Sequence, residues 1–317
     1  MVNKSFKEMI HLTEEKVCHI RPCDLFVTTQ KVRDNRAVVQ VKATVSNNSD
    51  VEVKGTITVR IGHLAVAQLL SVASRGSSLI EFNLELKRPE LWSADRPNLY
   101  DLEMKINSNL GIEILTQKIG IRQIEIDDKQ RIAINERYAR PINSCVYHDN
   151  ILADSGVFPL VEERKIKRLK EAGYDAIRCI YQSPSKELLD VCDRLGMYVI
   201  NESFSHWHFG VDGKNVRGHD DRWKREIEKV VLRDRNHPSL LYWSVGNEAK
   251  ESNDVNGKAR LKKLTNYIKR LDSSRQILTD IYHQRNENES VARIYRLEKQ
   301  YARMIITKGN QMKTMKV

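Results

Sequence analysis

A chain of 317 residues, 40% apolar and 30% charged, is long enough for two domains that each bury a core of their own. No run approaches the ~20 apolar residues that cross a bilayer, and Met1–Glu8 has no apolar signal-type segment, so the sequence as given reads as cytoplasmic and without a membrane partner. The net charge of +11 would suit a nucleic-acid partner, but residues 282–317 alone hold eight Lys or Arg against three acids, and the remainder shows no basic block with interleaved aromatics, which argues against nucleic acid.

Residues 16–126 are expected to form a β-sandwich of the immunoglobulin-like kind. Ala37, Val39, Val41, Ala43 and Val45 alternate with polar residues, and Val51 and Val53, then Ile57, Val59 and Ile61 continue the period of two that marks half-buried strands. Asn47-Asn48-Ser49-Asp50 is the predicted turn after the first run. Ile80 to Leu86, Leu102 to Ile106, and Ile112 with Ile114 repeat the alternation, giving roughly seven short strands.

After Asp127 the period changes. Apolar segments of four to six residues alternate with amphipathic helices, the pattern of parallel βαβ units. Strands are predicted near Ile142–Tyr147, Ala176–Tyr181, Met197–Ile200, Leu240–Val245 and Ile277–Ile281. Helices are predicted over Glu162–Ala172, Lys186–Leu195 and Arg222–Arg233, with another carrying Leu261, Leu264, Ile268 and Leu271. The expected architecture is an immunoglobulin-like sandwich followed by a partial TIM barrel over 127–281, with 282–317 a basic tail without clear fold. Five cysteines, Cys18, Cys23, Cys145, Cys179 and Cys192, are an odd number without CxxC spacing, so they are expected to be thiols in the apolar interior, not a disulfide framework or a zinc site, and no metal or cofactor is expected.

In such barrels, polar residues at the carboxyl ends of the strands face the active-site mouth. Four places qualify here: Tyr147-His148-Asp149-Asn150, Arg178 with Tyr181-Gln182, Asn201-Glu202-Ser203-Phe204-Ser205-His206-Trp207, and Gly246-Asn247-Glu248. The run Arg233-Asp-Arg-Asn-His-Pro-Ser239 followed by Trp243-Ser-Val-Gly-Asn-Glu248 resembles the acid/base signature of glycoside hydrolase family 2. Leu91-Trp-Ser-Ala-Asp-Arg-Pro-Asn-Leu-Tyr100 and Ile119-Gly-Ile-Arg122 resemble the end of that family's sandwich and its exit into the barrel. Trp92 and Tyr100 are read as packing residues.

The resemblance implies retaining hydrolysis of β-glycosidic bonds in carbohydrates, most closely of the β-galactosidase kind. Glu248 matches the acid/base, and Asn247 the side chain that hydrogen-bonds the sugar 2-hydroxyl. Arg178, His148, Glu202 and Trp207 match residues of the substrate pocket, Arg178 being expected to need a buried carboxylate partner. Asn201 and Ser205 stand where the family has Asp, which removes two carboxylates from the expected pocket rim. No match for the nucleophile is present: Glu287, Glu289 and Glu298 lie in the polar tail. The chain therefore reads as truncated, and the alternative reading is an inactive carbohydrate-binding or structural remnant. An open half-barrel would favour a homo-oligomer, and full-length relatives could be exported.

Overall fold

The computed structural model describes residues 17–127, 131–138, 143–146, 158–180, 183–202, 222–245 and 255–278. Two antiparallel sheets form the N-terminal domain. The first contains β1 (Cys18–His19), β2 (Leu25–Arg33), β3 (Arg36–Asn47) and β6 (Ser77–Lys87), with β3 at its centre. The second is ordered β5-β4-β7-β8, from β4 (Val53–Ile61), β5 (Leu64–Val72), β7 (Tyr100–Ser108) and β8 (Gly111–Ile119). The inward residues of both sheets, Val39, Val41, Val45, Ile57, Val59, Phe82, Leu84, Met104 and Ile106 among them, meet in one core.

The alternation read from Ala37 to Val45 falls on β3, where every second residue is buried. Eight strands are present rather than about seven, because β2 and β5 carry no clean period of two. Val51 is half exposed and lies in the turn, and the following strand runs unbroken from Val53 to Ile61. Asn47 holds that turn. Its side-chain nitrogen donates to Val51 O, Val72 O and Ala73 O, and its oxygen accepts from Ser49 N.

A short sheet of β9 (Ile124–Ile126), β10 (Ile132–Ile134) and β11 (Arg137–Tyr138) leads into the second domain. There five parallel strands stand in sequence order: β12 (Asn143–Val146), β13 (Ala176–Ile180), β14 (Tyr198–Glu202), β15 (Leu240–Ser244) and β16 (Gln276–Leu278). Four helices accompany them, α1 (Phe158–Glu171), α2 (Lys186–Leu195), α3 (Arg222–Asp234) and α4 (Val255–Leu271). Sequential parallel order with helical crossovers is the arrangement of one side of a (β/α)8 barrel. The outer face of the strands packs Ile177, Val199, Leu240 and Trp243 against Leu188, Leu189, Ile227, Val231, Leu264 and Ile268 of the helices. The inner face packs Ala176, Ile200, Leu241 and Tyr242 with Ile132 and Ile134 of β10 and with Trp92.

Close approaches fix the two domains together. Gly196 ends α2 in the left-handed conformation, φ 75°, and a Cβ there would lie 2.2 Å from Ala94 O. At Gly120 a Cβ would lie 2.6 Å from the Pro238 side chain, so the sandwich exit can pass the turn before β15 only without a side chain. Trp92 is fully buried between the domains, donates Nε1–H to Asp193 O at 2.9 Å, and meets the Tyr198 ring edge-on at 5.6 Å.

Among the described cysteines no disulfide forms. Cys18, Cys179 and Cys192 are buried, and burial pushes the Cys179 thiol up to about 12, so it is an inert apolar filler.

Candidate active site

The pleat of the parallel strands brings three polar side chains onto one face. Arg178 pairs across from Ile200, and Ile200 from Tyr242. Ile200 and Tyr242 face the inner core, so Glu202 and Ser244, two residues further along β14 and β15, share that inner face at the carboxyl ends. All three are withdrawn from solvent, Arg178 at 2%, Glu202 at 0% and Ser244 at 0% exposure.

They converge on one oxygen. Arg178 Nε donates to Glu202 Oε2 at 2.9 Å, Arg178 Nη2 donates to the same atom, and Ser244 Oγ donates to it at 3.0 Å. A buried ion pair repays its desolvation only when charge-assisted hydrogen bonds accompany it, and here a neighbouring strand supplies an additional donor. The carboxylate that the sequence required for Arg178 is thus Glu202. Ser244 was not foreseen, although alternation from Tyr242 would have placed it on the same face.

One position away the geometry corrects the expectation. Asn201 faces the helices, not the mouth: it is fully buried, and its Nδ2 donates to Asp234 Oδ2 at 3.1 Å. Its replacement of Asp therefore takes no carboxylate from a pocket rim. Asp234, whose carboxyl is raised by burial against the opposing pull of Arg233, receives Arg233 Nε at 2.5 Å and Arg233 Nη2 at 2.8 Å. The same guanidinium reaches Ser183 Oγ and Pro184 O, tying α3 to the segment after β13.

The next residues of that run also serve as scaffold. Arg235 donates to Cys23 O, Leu25 O and Leu271 O. Asn236 bonds Leu25 and Val27. His237 Nδ1 lies 2.6 Å from Asp193 Oδ2, while Asp193 Oδ1 accepts Ser239 N at 2.9 Å. Asp190, Asp193 and His237 are near enough to one another to hold a cation, and no other such group occurs among the described residues. It lies at the amino ends of the strands, away from the Arg178–Glu202 cluster.

Glu248, Asn247, His148 and Trp207 lie outside the described residues. What the structure does describe is a buried cation–carboxylate–hydroxyl cluster at the carboxyl ends of adjacent parallel strands, the position where barrels of this kind place their chemistry.

Comparison with known proteins agrees with this architecture. Residues 18–122 match the family model described as glycosyl hydrolases family 2, and residues 124–315 match that of the glycosyl hydrolases family 2 TIM barrel domain. The chain is 30% identical over 250 residues to the β-galactosidase BoGH2A of Bacteroides ovatus, covering 76% of this chain and 29% of that protein. It is 27% identical over 273 residues to a β-galactosidase of Leuconostoc mesenteroides, covering 80% of this chain and 25% of that protein. Among solved structures, a glycosyl hydrolase family 2 member from Bacteroides cellulosilyticus superposes with a TM-score of 0.76 at 31% identity, over 87% of this chain and 37% of that one. A β-galacturonidase from Eisenbergiella tayi bound to galacturonate shares the fold with a TM-score of 0.70 at 21% identity, over 82% of this chain and 46% of that one. The chain thus spans less than a third of the length of these curated relatives, and over that span it belongs to glycosyl hydrolase family 2.

Proposed function

We propose that this chain carries the acid/base half of a retaining β-glycosidase, β-galactosidase-like in its substrate class. The Arg178–Glu202–Ser244 cluster is the observation that supports the reading. It desolvates a carboxylate and a guanidinium at the strand ends, and Ser244 precedes Glu248 by four residues, a separation of at most about 14 Å along any course of the chain. In this reading Glu248 protonates the leaving oxygen, and Asn247 bonds the sugar 2-hydroxyl, a contact that strengthens as the ring becomes cationic. Arg178 and Glu202, with His148 and Trp207, form the pocket.

Retention needs a second carboxylate about 5–5.5 Å from the first to form the glycosyl-enzyme. No strand-end carboxylate of this sequence matches that role, so the chain alone is expected to bind a sugar without turning it over. The purified chain assayed on aryl β-galactoside, β-glucuronide and β-mannoside, beside its Glu248→Gln variant, should show no turnover. Turnover that survives the substitution would remove the acid/base assignment, and turnover lost with it would show that a carboxylate of residues 282–317 or of a second chain completes the site. Saturation-transfer NMR with methyl β-galactoside tests the pocket separately, and absence of any signal would sink the carbohydrate reading.

A further inference from the structure

A polar crevice lies at the junction of the two domains, beside the amino ends of β15 and β16 and not at the carboxyl ends of the strands. It encloses about 260 Å³ and is lined from the sandwich side by Thr28, Thr29, Arg122 and Gln123 and from the barrel side by Ser273, Ser274 and Arg275. Two guanidinium groups lie in its wall and no lining residue is acidic.

The two cations meet on a single acceptor. Arg122 Nη2 donates to Leu240 O at 2.6 Å and Arg275 Nε donates to the same oxygen at 2.8 Å. Arg275 has a carboxylate of its own, Asp272 Oδ2 at 2.9 Å. Arg122 has none. It is 8% exposed, its Nη1 is buried without a hydrogen-bond partner among the described residues, and its guanidinium carbon lies 5.8 Å from the centre of the Trp92 ring. A ring face attracts a cation but does not neutralise it, and a buried charge without a counter-charge is costly. Burial first, and repulsion from Arg275 second, pull Arg122 down to about 9. Thr29 Oγ1, which lines the crevice, accepts the Arg122 backbone N–H and can still donate its own proton.

We infer that this crevice is a binding site for a small oxyanion of the phosphate or sulfate type, held between Arg122 of the sandwich and Arg275 of the barrel. Such an ion supplies the charge that Arg122 lacks, weakens the repulsion between the two guanidinium groups, and accepts hydrogen bonds from the hydroxyls at the rim. Bound at the junction, it stabilises the two domains as one unit. Water filling the crevice would satisfy Nη1 but leave the net charge in place.

The test uses the full chain with inorganic phosphate. Thermal unfolding in sodium phosphate is compared with sodium chloride at matched ionic strength, and calorimetric titration with phosphate measures the affinity. A saturable rise in Tm is expected, with affinity at least tenfold weaker in Arg122→Gln. Ser273→Glu, at an exposed position on the rim, carries the test if Arg122→Gln fails to fold. Its carboxylate should occupy the crevice, raise the Tm without phosphate and abolish the phosphate response. A phosphate effect that does not saturate, or that is the same in wild type and Ser273→Glu, overturns the inference.

Discussion

Asn236 acts as the strand neighbour that Val27 lacks. Its Oδ1 accepts the Val27 N–H at 3.0 Å and its Nδ2 donates to Leu25 O at 2.9 Å, so one side-chain amide from the barrel domain continues the ladder along the outer edge of β2. Further along, Gln123 Oε1 accepts Val32 N at 2.7 Å and Thr29 Oγ1 accepts Arg122 N. An edge strand with free donors invites pairing with another chain, and here the Asn236 and Gln123 side chains take the Val27 and Val32 donors.

Replacing Asn236 by Ala should therefore leave the Val27 N–H without its acceptor and the Leu25 carbonyl with Arg235 Nη2 as its remaining side-chain donor. An unmade bond to a buried polar group costs about 1–3 kcal/mol. Urea unfolding is expected to show a loss of roughly 2 kcal/mol or more, with Asn236→Asp intermediate because it keeps the acceptor and loses the donor. A loss under about 0.5 kcal/mol in the Ala variant would mean that water replaces the amide without penalty.

At the strand ends, Arg178 and Glu202 should behave as a coupled pair. Removing one partner leaves a buried charge uncompensated, which costs about 3–5 kcal/mol, whereas replacing both by apolar residues of similar size can be close to neutral. Arg178→Met and Glu202→Leu are each expected to be strongly destabilising, and the double variant much less so than their sum. Additive losses in the double-mutant cycle would contradict the pairing as the source of the effect.

The Asp193–His237 contact predicts a pH dependence of stability. Burial alone would lower the His237 pKa, but Asp193 at 2.6 Å, aided by Asp234 and Asp190, outweighs it and the net shift is upward. A raised folded-state value means that stabilisation is present in full below the unfolded value of about 6.5 and is lost as pH rises through the folded one. Tm should fall across that upper range, and the fall should be absent in His237→Gln. A His237→Gln variant that keeps the wild-type slope would place the titration elsewhere.

Gly120→Ala offers a steric probe of the junction. The added methyl would meet Pro238 at 2.6 Å and Trp92 Cβ at 2.9 Å, neither of which is a flexible side-chain end. Overpacking of this kind costs about 1–3 kcal/mol. The variant should unfold at lower urea, and hydrogen exchange should rise at Trp92 Nε1–H, the bond that joins the domains. Unchanged exchange there would show that the strain is absorbed inside the sandwich.

Much of this architecture is legible in the residues alone, because burial on one face imposes a period. The alternation of β3, β6 and β7 and the apolar runs of β13, β14 and β15 each report a face that must leave water, and the polar residues that end those runs mark the strand mouths. By the same logic Arg178, once assigned to a buried strand, required a carboxylate. β5 escaped because its apolar residues occupy both faces, Leu69 being 86% exposed, and β2 because its residues from Phe26 to Thr29 are half-buried on both faces. What the tertiary structure decided was the identity of partners. Only the register of three parallel strands makes Glu202 the carboxylate for Arg178 and brings Ser244 to it, and only the pleat turns Asn201 toward Asp234 and away from the mouth. The run from Arg233 to His237 reads in sequence as a signature of chemistry. In the folded chain its side chains hold the junction and the turn before β15, because spacing along a chain fixes which face a residue shares but not which distant group, 36 to 212 residues away, packs against it.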